Sequence, residues 1–468
     1  MKIRLISPRS TKRPMDTDWK THMSPPLSLL VLSALTPDVH SVEIVDENIE
    51  THRFDDSPDL VGITIKVDTA MRAFAIAARY RSRGIPVVLG GIHVTACPEH
   101  CAPHANAIVI GEAEHVWCTV LRDCEQGTLL PVYQSDKPVD LADTPVPRWD
   151  ALKRSRYMFT NTITISRGCP WKCDFCYTSA PNFHAPYRTK PLAHILREIR
   201  SLNSDHVMFI DDNIIGDPNF ARVLLNALKG MNLTWHAAVT ANIVHYEDIL
   251  DLMAQTGCKS LFIGFESIDQ NNLLSCHKKQ NNIDDYERLI HAIHRRGIMV
   301  NASLVFGFDR DTAAVFPSTL RWLIENKIET MTAHILTPYP GTPFYRKLLL
   351  ENRIFDHDLS HYNTAHAVFM PKNISPDALT EHYHKLYHDF YSWGSILQRL
   401  PVDRKQHKAY LSFNLLYRKY GTITAQLGKL FGMNTLAKAA RLFSYRPKKT
   451  ERELHDRKII YLQKRIAQ

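Results

Sequence analysis

Three cysteines, Cys169, Cys173 and Cys176, stand close together in the run SRGCPWKCDFCYTSA over residues 166–180. At C-x3-C-x2-C spacing one loop can supply three thiolates to a single metal centre. Two chemistries use such a set. Structural zinc takes four protein ligands, usually completed by a second C-x2-C or a histidine pair; none follows here, because Cys258 and Cys276 stand alone, and only His184 is near enough in sequence to serve. A 4Fe-4S cluster held by three cysteines instead leaves one iron open to a ligand that is not protein.

Polar residues gather at the ends of other β-branched runs. FIDDN ends in Asp211, Asp212 and Asn213, IGFES in Glu266 and Ser267, and VFGFD carries Gly307 and Asp309. Taken singly, such acids serve equally well as helix N-caps, which is how Asp217 before PNF is read. Nearer the N-terminus, Gly90 and Gly91 precede His93, and Gly111 precedes Glu112. Glycine lets a ligand approach the backbone closely, though a Gly-Gly pair also makes an ordinary turn. His93 at a strand end could face a ligand or be a hydrogen-bonded structural residue. Cys97, Cys101, Cys118 and Cys124 read as small buried thiols.

Two strand and helix alternations place these groups. Before residue 130, KIRLIS, SVEIVDE, LVGITI, IPVVLGG and AIVIGEAE read as strands separated by helical segments such as TAMRAFAIAARYRSRG. That pattern predicts a doubly wound parallel sheet with ligands beyond the strand C-termini. DKPVDLADTPVPRWDAL, rich in Pro and Asp, reads as a linker. From about residue 160, TITIS, HVMFID, TWHAAVT, SLFIGFE, IMVNASLVFGF and ETMTAHILT alternate with helices and predict a partial (β/α)6 barrel. The expected division is 1–140 for a Rossmann-like α/β domain, 141–160 for a linker, 161–350 for the barrel and 351–468 for a helical, basic C-terminal region.

The motif C-x3-C-x-(aromatic)-C, formed by Cys169, Cys173, Phe175 and Cys176 at the end of the first barrel strand, resembles that of the radical S-adenosylmethionine (SAM) enzymes. The resemblance implies a 4Fe-4S cluster on the three cysteines, with SAM chelated to the open iron and cleaved to a 5'-deoxyadenosyl radical. It further implies SAM contacts from Phe175, Asp211, Asp212, Asn213, Glu266, Ser267, Gly307 and Asp309, and a low-potential flavodoxin or ferredoxin as reductant.

The order of a doubly wound domain followed by this barrel, with VDENIE, GGIH and GEAE in succession, resembles the cobalamin-associated class of that superfamily. Cobalamin would then lie against Gly90, Gly91, His93, Gly111 and Glu112, and the reaction would be methylation of an unactivated carbon in a small-molecule, lipid or peptide substrate. A non-methylating cyclisation, oxidation or rearrangement is the alternative within the superfamily. The chain departs from the class pattern where the D-x-H-x-x-G loop, whose histidine ligates cobalt, would fall: Asp16 and His22 lack that spacing.

Composition narrows the classes. A 44% share of apolar residues supports packed cores, and nine cysteines without a pairing pattern fit a reducing, cytoplasmic setting. The net charge of +9 comes largely from the C-terminal region. No interleaving of aromatic and basic residues marks a nucleic-acid module, which leaves a zinc-stabilised binding protein as the bland alternative. The basic amphipathic stretch LYRKYGTITAQLGKLFGMNTLAKAARLFSYRPKK reads as a solvated cover or a peripheral membrane contact.

Overall fold

The structure, a computed structural model, describes residues 1–13, 24–153, 156–157, 160–183, 186–202, 204–418, 430–432 and 435. Asp16, His22 and His184 lie outside these residues, as does nearly all of the basic stretch from Leu416 onward.

β1 (Lys2–Ser7), β2 (Ser41–Asp46), β3 (Leu60–Thr64), β4 (Val87–Gly90), β5 (Ala107–Ile110) and β6 (Val132–Gln134) form one parallel sheet in the order β2-β1-β3-β4-β5-β6. Alternation along the strands divides the core between two faces. Ile3, Leu5, Leu60 and Val88 pack with the helices Leu27–Leu35 and Trp117–Glu125, whereas Ile6, Val61, Ile63, Val87 and Leu89 pack with the helix Ala70–Arg81. The sheet is therefore doubly wound, with a switch point beside β1. β6, a short edge strand after Pro131, was not legible as an alternating run.

The second parallel sheet runs in chain order. β7 (Thr162–Ile163), β10 (His206–Phe209), β11 (Thr234–Val239), β12 (Cys258–Glu266), β13 (Met299–Phe306) and β14 (Thr330–Ile335) lie side by side, as an open barrel of strand and helix units requires. β8 (Ser166–Arg167) pairs antiparallel with β9 (Arg188–Thr189) across the base of the cysteine loop. TITIS, expected as one strand, thus breaks after Ile163. The break has a cause: Ile165 N and Ser166 N leave the ladder and donate to the Asp211 carboxylate at 2.9 and 2.6 Å.

Beyond residue 350 the described chain is mainly helical, apart from an antiparallel bridge between Ile354 and Phe369. The helix Pro376–Phe390 covers β14. The Tyr387 hydroxyl accepts from Ala333 N at 2.8 Å and donates to Ala333 O at 3.1 Å, and Tyr391 treats Met331 in the same way at 3.3 and 2.9 Å. No helix among the described residues is long and apolar enough to cross a membrane.

Candidate active site at the facing strand ends

The C-terminal ends of the two sheets face each other. A clamp of charges joins them: Arg167, just before the cysteine loop, meets Glu112 at 3.1 Å and also pairs with Glu114, while Arg188 meets Glu112 at 2.7 Å. Burial alone would raise the Glu112 pKa, but hydrogen bonds from Arg188 and Val139 N, with the field of Arg167, hold it below the usual carboxylate value. Glu112 is thus a domain fastener as well as a cavity wall.

Behind this clamp lies a largely apolar cavity of about 370 Å³, reaching from Leu29, Val109 and Trp117 to Thr164 and Ile210, just past the ends of β7 and β10. Gly90, Gly91, Gly111 and Glu112 line it. Gly91 has φ 107°, and a Cβ there would lie 2.8 Å from Ile65 N, so the turn requires glycine. His93 behaves otherwise than expected for a cobalamin contact. It is fully buried beyond the glycine turn, with Nε2 3.2 Å from His100 Nδ1, because the helix Ile92–Ala96 carries it away from the cavity.

The cysteine loop is held from several directions. Gly168 turns it with φ 83°. Asp174 N donates to Cys276 O and Phe344 N to Asp174 O, each at 3.1 Å, and Ser179 Oγ donates to Cys173 O at 2.8 Å. Donors also aim at the sulfurs: Thr178 Oγ1 lies 3.2 Å from Cys176 Sγ, and Gln280 Nε2 lies 3.6 Å from Cys173 Sγ. Burial pushes the Cys169 thiol up to about 11 and raises Cys173 and Cys176, with Lys278 and Gln280 opposing the rise at Cys173. Buried or half-buried thiols, two of them with an O–H or N–H donor pointed at the sulfur, suit thiolate ligands of an iron–sulfur cluster, whose sulfurs such donors tune.

Around the loop, the acids expected to touch SAM divide into those that face the cleft and those that do not. The Asp212 side chain is exposed at the end of β10, and its charge acts on Cys169 and Cys176. Asp211 is buried, and its carboxylate also accepts from Ser166 Oγ at 2.6 Å. The Asn213 side-chain oxygen accepts from Ile215 N at 3.3 Å and Thr240 N at 3.4 Å. Glu266, at φ 63°, pairs with buried Lys278 at 2.9 Å. Ser267 Oγ accepts from Asp269 N at 3.1 Å. Phe175 packs into an apolar cluster, its ring 6.5 Å from that of Phe308.

Asp309 lies elsewhere. It faces outward to Arg353 at 2.6 Å and Lys347 at 3.3 Å, because the chain turns at Gly307, with φ 104°, and brings Asp311 inward instead. Asp311 accepts from Gly307 N at 2.9 Å and Phe308 N at 3.0 Å. Lys278, Gln280 and Asp311 were missed from the sequence, since no local spacing marks them.

A second cavity, about 520 Å³ and more polar, opens between the domains. Arg13, Lys66, Asp68 and Ile92 line one side, and Tyr177, His334, Tyr339 and Thr364 the other. The Tyr177 and Tyr339 rings stack at 4.7 Å, and the buried Tyr177 hydroxyl meets no hydrogen-bond partner among the described residues. Burial, helped by Arg13, lowers the His334 pKa to about 3, so this imidazole is neutral.

The comparisons with known proteins agree with this geometry. The family model of the Radical SAM superfamily matches residues 163–323, and that of the B12 binding domain matches residues 22–121. The chain is 31% identical over 441 residues to bacteriochlorophyllide d C-8(2)-methyltransferase of Chlorobaculum tepidum, covering 90% of this chain and 96% of the relative. It is 29% identical over 408 residues to bacteriochlorophyllide d C-12(1)-methyltransferase of the same organism, covering 85% and 88%. A solved structure of the cobalamin-dependent SAM radical enzyme OxsB, with aqua-cobalamin and SAM bound, shares the fold with a TM-score of 0.66 at 14% identity, covering 92% of this chain and 75% of that one. The chain belongs to the cobalamin-binding class of radical SAM enzymes. It is a radical SAM methyltransferase whose cofactors are a 4Fe-4S cluster, SAM and cobalamin, and the zinc reading of Cys169, Cys173 and Cys176 falls away.

Proposed function

We propose that the enzyme methylates an unactivated carbon of a carboxylate-bearing tetrapyrrole seated in the polar cavity between the domains. When bound, the cofactors supply a 5'-deoxyadenosyl radical and a transferable methyl group. Cys169, Cys173 and Cys176 would hold the cluster, Asp212, whose charge reaches Cys169 and Cys176, would face the SAM side of it, and the apolar cavity bounded by Gly90, Gly91 and Gly111 would take part of the cobalamin. A low-potential flavodoxin or ferredoxin delivers the electron.

The observation that carries this reading is the placement of the polar cavity. Ile92 follows the glycine turn of the apolar cavity, and Tyr177 directly follows the last cysteine, so the polar cavity adjoins both the glycine-lined cavity and the cysteine loop. Arg13 and Lys66 put cationic groups there for a carboxylate, and the stacked tyrosines offer a flat apolar surface. Two relatives named for bacteriochlorophyllide d methylation support the substrate class.

The test is an anaerobic reconstitution with iron, sulfide and hydroxocobalamin. Bacteriochlorophyllide d, a reductant and SAM carrying a trideuterated methyl group are then added. The expected product is a tetrapyrrole heavier by one trideuterated methyl group, with 5'-deoxyadenosine formed alongside. Cys173→Ala should reduce both to background. Methylation confined to a polycyclic hydrocarbon without a carboxylate would overturn the substrate class, and absence of 5'-deoxyadenosine in the wild type would overturn the cluster assignment.

A further inference from the structure

Outside the active site the chain gathers a second set of soft donors. The sequence H-x6-H-C places His93, His100 and Cys101 on two short abutting helices, Ile92–Ala96 and Pro98–Cys101. The helices break at Cys97, whose N–H donates to His93 O at 2.9 Å. This break brings one ligand atom from each of the three side chains within 4.8 Å of the others.

The two imidazoles also have the spacing of shared ligands: His93 Nε2 and His100 Nδ1 lie 3.2 Å apart, close to the separation of two nitrogens each about 2.1 Å from one tetrahedral ion. Two imidazole nitrogens and one thiol sulfur make a donor set that suits a tetrahedral, borderline-soft ion. His100 is exposed, so water can reach a fourth position.

We propose that His93, His100 and Cys101 form a zinc site distinct from the cluster cysteines. The ion fastens a segment shared by both cavities: Gly91 lines the apolar one and Ile92 the polar one, while Cys97 packs against Ala180 at the end of the cysteine loop. Its role is therefore structural, holding the wall between the cofactor regions.

The test uses the full-length chain. After cluster reconstitution and desalting, elemental analysis should find one zinc per chain in addition to the cluster iron. His100→Gln, a change at an exposed side chain, should weaken zinc binding by more than the roughly 10- to 100-fold loss that accompanies removal of an outer-shell partner, with cluster iron unchanged. In a full-length background with Cys169, Cys173 and Cys176 all replaced by serine, cobalt(II) titration should give a thiolate-to-cobalt charge-transfer band that the near-isosteric Cys101→Ser abolishes. No retained zinc in the wild type, or zinc affinity and a charge-transfer band indifferent to these two changes, would overturn the proposal.

Discussion

Strands of the two sheets that meet across the cleft are finished in opposite ways. In the first sheet β4 and β5 end in glycine, at Gly90, Gly91 and Gly111, which line a cavity of about 370 Å³. In the second sheet β10, β12 and β13 run into acids, and most of these are engaged by the protein itself: Asp211 by Ile165 and Ser166, Glu266 by Lys278, and Asp311 by Gly307 and Phe308. In the first sheet the missing side chain makes room for a ligand, whereas in the second the side chain stiffens the frame around one. A polar residue at the end of a barrel strand is thus no guarantee of ligand contact.

Substitutions on each side can break this contrast. The largest effect is expected at Glu266→Gln, which strips the charge partner from Lys278, both side chains being at most 10% exposed. An uncompensated buried ammonium should lower the unfolding free energy by about 3–5 kcal/mol in urea titrations, and Glu266→Gln with Lys278→Met should recover part of it. On the glycine side, Gly90→Leu meets little at its Cβ, the nearest neighbour being Val109 Cβ at 3.8 Å, but its side chain fills the cavity. Cobalamin affinity should fall by about 100-fold, from roughly 3 kcal/mol of overpacking, while 5'-deoxyadenosine formation persists. Undiminished cobalamin binding would place the cofactor elsewhere.

Asp211 sharpens the contrast through pH. Burial raises its pKa from 3.8 to about 6, against the hydrogen bonds from Ser166 and Ile165. A carboxyl whose pKa is higher folded than unfolded stabilises the fold below its unfolded value, and that contribution disappears as pH rises through about 6. Relative to Asp211→Asn, the wild type should lose about 2–3 kcal/mol of unfolding free energy between about pH 4 and about pH 7. A flat difference would show that this carboxyl is solvated. The smallest effect is expected at Gln280→Leu, which removes a donor from Cys173 Sγ. Cluster retention on dilution should weaken about tenfold, with the fold intact by circular dichroism.

Much of this frame was legible because its signals are local. Runs such as KIRLIS and TWHAAVT announce their strands, the three cysteines lie on one loop, and the glycine pair at 90–91 sits at its strand end. What escaped depends on where the chain turns. VFGFDRD offers two acids, and only the φ 104° turn at Gly307 decides that Asp311 points in and Asp309 out. Lys278 and Gln280 reach Glu266 and Cys173 after a helix and a left-handed residue at His277, with no periodicity to reveal it. Cys101 reads as an inert thiol until the break at Cys97 brings His93 beside it.

The tyrosine pair on β14 bears on how far the chain can be shortened. Tyr387 and Tyr391 occupy backbone groups on the outer edge of the second sheet that another strand would otherwise pair with. A truncation ending before Tyr387 would expose that edge as a template for strand addition by a neighbouring molecule. Such a protein would be expected to self-associate through its barrel even with every cofactor-facing residue in place, so the C-terminal helices act as a guard against aggregation.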